Sequence, residues 1–197
     1  MKTAPRMVVT GLAATVVALA AGAGAVPANA DGPGTDRRIV AAIEAQPWKL
    51  LKKGDENYRV AAARCFLAQF KYFNGCNPKA AASDDFDDTM VAAVKKYQGD
   101  RGLQKTGELN DETWVTLRND HGIARPGDTR VSLVKGLQHS LNILGDAISV
   151  DGVYGNGTKT AVWNFQKRKE IGTDGSVGPI TFRAMFAQGA ESRRTPR

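Results

Sequence analysis

The 197 residues contain only two cysteines and two histidines, and aromatic residues make up 7% of the chain. His121 and His139 stand in no His/Cys/Asp spacing that would build a zinc site, and both are expected at the surface. There is no nucleophile elbow, no phosphate-cradling glycine loop and, if Cys65 and Cys76 bond to each other, no Cys-His pair. Asp84, Asp85, Asp87 and Asp88 could be read as the paired acids of a glycoside hydrolase or as a calcium site. They cluster instead at a predicted helix start, where the dipole favours negative charge. Beyond residue 30 no apolar run is long enough to cross a bilayer. These absences leave no catalytic constellation and imply no metal and no cofactor.

What is present begins with a processing signal. Lys2 and Arg6 precede an apolar run from Val8 to Val26, and Ala28-Asn29-Ala30 has the small-x-small form of a cleavage site. Residues 1–30 are therefore expected to be a signal peptide, and the mature chain to be secreted, extracellular or associated with a cell wall. Of 27 basic residues Lys2 and Arg6 leave with that segment, so 25 face 20 acidic ones. A basic excess on an exported protein suits polyanionic surroundings, or plain solubility. Export argues against nucleic acid as a partner, and once the signal is cleaved nothing remains to hold a membrane. In that compartment Cys65 and Cys76 are expected to form a disulfide, the alternatives being a reactive thiol or a metal pair. A disulfide requires the helix carrying Cys65 to end early enough for Cys76 to turn back.

The organising feature is a repeat. Phe86 to Leu117 returns 68 positions later, without a gap, as Tyr154 to Met185. Val94 maps onto Val162, Tyr97 onto Phe165, Gln98 onto Gln166, Gly107 onto Gly175 and Thr113 onto Thr181. Duplication at a fixed period means that one structural unit occurs twice. Upstream of each copy lies a further amphipathic helix, with Val60, Ala63, Leu67 and Phe70 in the first unit and Val134, Leu137, Leu141 and Leu144 in the second. Asp55 is the expected cap of the first of these, and Gly145 marks the end of the second. The second helices start after Asp87 and near Asn156, and the third after Asn110 and at Gly178-Pro179. The expected fold is all-α, two tandem three-helix bundles. Residues 31–47 form an N-terminal tail whose RRIVAAIEAQ stretch is a short helix candidate; 48–119 and 126–187 are the units; 188–197 is a loose basic tail.

The second unit carries Gly127-Asp128, Leu137-Gln138, Leu141, Asp151-Gly152-Val153-Tyr154-Gly155, Thr158, Ala161-Val162, Phe165-Gln166, Asp174-Gly175, Val177-Gly178-Pro179 and Thr181. End to end it resembles the bacterial peptidoglycan-binding domain of the three-helix type. The first unit is similar but divergent: Arg64 stands in place of Gln138, Asp87 of Gly155 and Met90 of Thr158, and an insertion carries Cys76. Gly102 to Trp114 also resembles the prodomain of matrix metalloproteases, without a cysteine-switch sequence after it. The resemblance implies non-covalent attachment to peptidoglycan, with the second unit the better binder.

Trp114 occupies a place that is apolar in both units and is expected in the core. Trp163 replaces Lys95 on a helix flank, where it could meet a sugar ring or stem peptide, or pack on the neighbouring unit. Gln98 and Gln166 could bond the turn backbone or a ligand amide. Asp151, Tyr154, Asn156 and Thr158 line a loop that is either a turn with its cap or part of a binding surface. Lys167, Arg168 and Lys169 suit a helix C-terminus. The candidate ligand-binding residues are Gln138, Asp151, Tyr154, Asn156, Thr158, Trp163 and Gln166. A cell-wall hydrolase, or a module that binds or inhibits a secreted protein partner, are the competing functions.

Overall fold

The computed structural model describes residues 34–195, with seven helices and no strand among them. The segment read as a signal peptide, 1–30, lies outside the described residues. The helices are α1 (Arg37–Glu44), α2 (Tyr58–Gln69), α3 (Asp88–Asp100), α4 (Asp111–His121), α5 (Val131–Ile143), α6 (Asn156–Arg168) and α7 (Pro179–Phe186). Helices α2 to α4 make the first unit and α5 to α7 the second, so the chain is all-α and tandem.

Helix boundaries have local causes. Asp87 Oδ1 accepts from Met90 N and Asn110 Oδ1 from Thr113 N, satisfying N–H groups that helix geometry leaves unpaired. α7 starts with Pro179, whose missing N–H costs nothing at that position. Asn57, not Asp55, caps α2; Asp55 acts earlier, accepting from Lys52 N in the preceding turn. α2 stops at Phe70, the chain doubles back, and Cys65 and Cys76 form a disulfide with their Cα atoms 4.8 Å apart. The acidic cluster divides its work: Asp87 caps α3 and Asp88 pairs with Lys53 at 2.7 Å, while the backbone of Asp85 forms an antiparallel bridge with that of Glu56.

The two units enclose one core. α2 packs along α5, and the two backbones come close where Ala62, fully buried on α2, meets Gly136 on α5. At Gly136 on α5, a Cβ would stand 2.9 Å from Phe66 Cε1 and 3.1 Å from the Ala62 carbonyl oxygen. Aromatic rings from both units meet at this seam. Phe66 lies 5.8 Å from Phe182 and 5.5 Å from Phe186, and Trp114 stacks on Trp48 and on Phe186, each at 5.8 Å between centroids.

The first unit also finishes the last helix of the second. Tyr58 Oη donates to Met185 O at 2.7 Å, while Arg59 donates from Nε to Phe186 O and from Nη2 to Ala187 O, both at 2.8 Å. These carbonyls at the end of α7 would otherwise lack partners.

Three expectations need correction. Residues 31–47 are not simply a tail, because α1 packs on α7 and Arg183 donates to Ile43 O and Gln46 O. The closing segment is fastened as far as Thr195: Glu191 pairs with Arg59 at 2.6 Å, Lys169 Nζ donates to Ser192 O, and Thr195 Oγ1 to Lys169 O. Burial pushes the Lys169 ammonium down to about 8. His121 is fully buried rather than exposed, its ring 5.4 Å from Phe66 and 4.9 Å from Phe182. It continues the inward face of α4 that carries Trp114 and Leu117, and burial pushes its imidazole down to about 4. His139 is half-buried.

Candidate functional site

The second unit is built on two glycine-centred turns, each held by a glutamine from the preceding helix. Gln138 Nε2 donates to Asp151 Oδ1, Val153 O and Thr158 Oγ1, and its Oε1 accepts from Gly152 N. Gln166 repeats the pattern on the next turn: Nε2 donates to Asp174 Oδ1, Ser176 O and Thr181 Oγ1, while Oε1 accepts from Gly175 N. Gly152 and Gly175 have φ of 84° and 72°, the left-handed region that suits glycine. Tyr154 Oη donates to Gly175 O at 3.0 Å and ties one turn to the other; burial pushes its phenol up. In the first unit Gln98 makes the same clasp on Thr106, Gly107, Glu108 and Thr113.

This geometry divides the sequence-predicted residues into two sets. Gln138, Tyr154, Thr158 and Gln166 are buried, their polar atoms committed to shaping the turns. Asp151, Asn156 and Trp163 face solvent. The Asp151 carboxylate also works inward: the Val153 N–H and the Gln138 amide hold it below the usual carboxylate range. Asn156 opens α6, and Trp163 stands seven residues further on the same helix face, 38% exposed. The clasps place these exposed groups by fixing both the entry to α6 and the turn beside it.

Two further side chains share the Trp163 face. Lys167 Nζ lies 5.1 Å from the Trp163 ring centroid. Lys159 lies one turn to the other side, its stem on the second turn, since a Cβ on Gly175 would stand 2.7 Å from Lys159 Cγ. The order Lys159, Trp163, Lys167 at four-residue steps was legible in the sequence. Reading Lys167 only as a favourable helix end hid it. Arg168 instead serves the end of α5, pairing with Asp146 and donating to the carbonyl of Leu144, the C-cap of that helix.

The first unit departs at the matching places. Arg64 replaces the clasping glutamine and donates to Asp85 O at 2.6 Å and Thr89 Oγ1 at 3.2 Å, while its guanidinium pairs with Asp87 at 2.7 Å. Burial would raise the Asp87 carboxyl, but hydrogen bonds from Thr89, Met90 N and Arg64 outweigh it and hold the group low. Each unit has a shallow depression beside its first turn, at the bond from Gly54 N to Phe86 O or from Gly127 N to Tyr154 O. In the first unit Asp55, Glu56, Asp85, Asp87 and Asp88 line it with one lysine, Lys53. In the second, Arg125 and Arg130 line it with a single acid, Asp128, and the volume is about 430 Å³.

A model of the peptidoglycan binding domain family matches residues 56–117 and again residues 130–185, which are the two units just described. No curated protein and no solved structure matches the chain. With more than half of its length covered by two tandem matches, the chain belongs to the peptidoglycan binding domain family.

Proposed function

We propose that this protein is exported and attaches non-covalently, without catalysis, to cell-wall peptidoglycan, and that the second unit carries the contact surface. The observation that carries the reading is the exposed Trp163 on a helix face set by two clasped turns, in a chain with two peptidoglycan-binding domains. An indole offers an apolar face to the C–H side of a sugar ring and an N–H to a polar group. Asn156 adds hydrogen-bonding capacity at the start of the same face. The first unit serves mainly as scaffold, because its matching depression is lined by carboxylates that repel an acidic polymer.

The test uses the full chain and purified sacculi. The protein is expected to sediment with them, and Trp163→Ala to weaken retention by about tenfold at unchanged helical content, as loss of an exposed aromatic contact implies. Failure of the full chain to sediment would overturn peptidoglycan binding. Release of muropeptides by the purified protein would overturn the non-catalytic part.

A further inference from the structure

We infer that the α6 face of the second unit is a clamp for carboxylate-bearing glycopeptide. Trp163 takes a sugar ring, and Lys159 and Lys167 on either side take carboxylates of the stem peptides. The inference rests on the peptidoglycan reading above and specifies which chemistry of that polymer is recognised.

The argument is one of charge and spacing. Lys159, Trp163 and Lys167 are exposed and follow one another at four-residue steps on one helix. Eight residues separate the two ammonium-bearing positions, about 12 Å along the axis. Neither lysine takes part in a salt bridge among the described residues, unlike Lys53, Arg64, Arg130 and Arg168. Their charge is therefore not spent within the fold. Lys167 lies against the indole, so ring and cation form one amphipathic element.

The duplication supplies an internal comparison. Sixty-eight positions earlier, the same three places hold Val91, Lys95 and Gly99. The aromatic and the flanking lysines of the helix itself are thus missing from the first unit, where Lys95 takes the central place. At Gly99 the stem of Lys105 crosses the site, since a Cβ there would stand 2.4 Å from Lys105 Cε. With the core pattern kept in both copies, the Lys-Trp-Lys triplet is a feature that the common fold does not require.

The experiment compares three sacculus preparations: native, amidated so that stem-peptide carboxylates are neutral, and stripped of phosphodiester wall polymers. The full chain is expected to bind amidated sacculi about five- to tenfold more weakly than native ones, the effect of losing two exposed charge contacts. Stripped sacculi should retain it fully. The Lys159→Gln/Lys167→Gln double variant should bind native and amidated sacculi alike, at the weakened level. Equal wild-type binding to native and amidated sacculi would overturn the clamp while leaving peptidoglycan binding intact, as would discrimination persisting in the double variant. Loss of binding on stripping would show phosphodiester recognition and also overturn it. Absence of binding to all three would overturn the peptidoglycan reading itself.

Discussion

Gln138 shows what a single buried polar residue does here. Its amide satisfies the Gly152 N–H and the Thr158 hydroxyl, groups that have no route to water. Replacing it with leucine keeps the volume and removes the partners, so Gln138→Leu should destabilise the protein by about 1–3 kcal/mol. Urea denaturation measures the loss, and faster hydrogen exchange at the Gly152 amide would localise it to the turn. A stable variant with a protected amide would refute the clasp. His121 makes a different prediction. Its neutral form is required in the core, so between pH 6.5 and about 4 the unfolded chain binds a proton that the folded chain refuses. Stability is therefore complete above pH 6.5 and falls as the pH drops toward 4, by about 3 kcal/mol. His121→Phe should lack this component, and the difference between the two urea-stability curves at pH 7 and pH 4.5 reports it.

At the scale of elements, the seam between α2 and α5 depends on the absence of a side chain at Gly136. Ordinary helix propensity favours alanine over glycine by about 1 kcal/mol. Here the added methyl would press on the Phe66 ring, the Cys65 Cβ and the Ala62 carbonyl oxygen. Overpacking of this kind costs about 1–3 kcal/mol, so Gly136→Ala should lower the urea midpoint rather than raise it. A raised midpoint would mean that the helices separate without cost. Helix positions themselves were legible, because capping residues and apolar spacing act through neighbours in the chain. Asn110, Asp87 and Pro179 mark their helix starts in the sequence and in the structure alike. Asp55 misled because a carboxylate can close a turn as readily as cap a helix, and Asn57 lies two residues on.

Over the whole molecule, the two units are not independent. α7 takes its terminal hydrogen bonds from Tyr58 and Arg59, and the rings of Phe66 and Trp114 pack on Phe182 and Phe186. The full chain should therefore unfold in one transition, with far-ultraviolet circular dichroism and tryptophan fluorescence superimposing. A fragment comprising residues 126–195 alone should show poor amide dispersion by NMR, because it loses these partners and exposes the seam. Two separate transitions, or a well-folded fragment, would contradict the shared core. For the same reason the binding experiments use the full chain.

By itself the sequence determined the duplication, the all-α class and most helix starts, since these rest on spacing and on contacts between near neighbours; it favoured the disulfide over a reactive thiol or a metal pair, and its motifs carried the family resemblance. The tertiary structure alone decided how the candidate site divides. Gln138, Thr158, Gln166 and Tyr154 look as suitable for a ligand as Asp151, Asn156 and Trp163 when only residue type is known. Which polar groups are already satisfied depends on where distant backbone carbonyls and amides come to lie. The contacts of α1 with α7 and of Glu191 with Arg59 have the same origin. They arise where one unit closes the core of the other, a contact between surfaces far apart in the chain that no local pattern encodes.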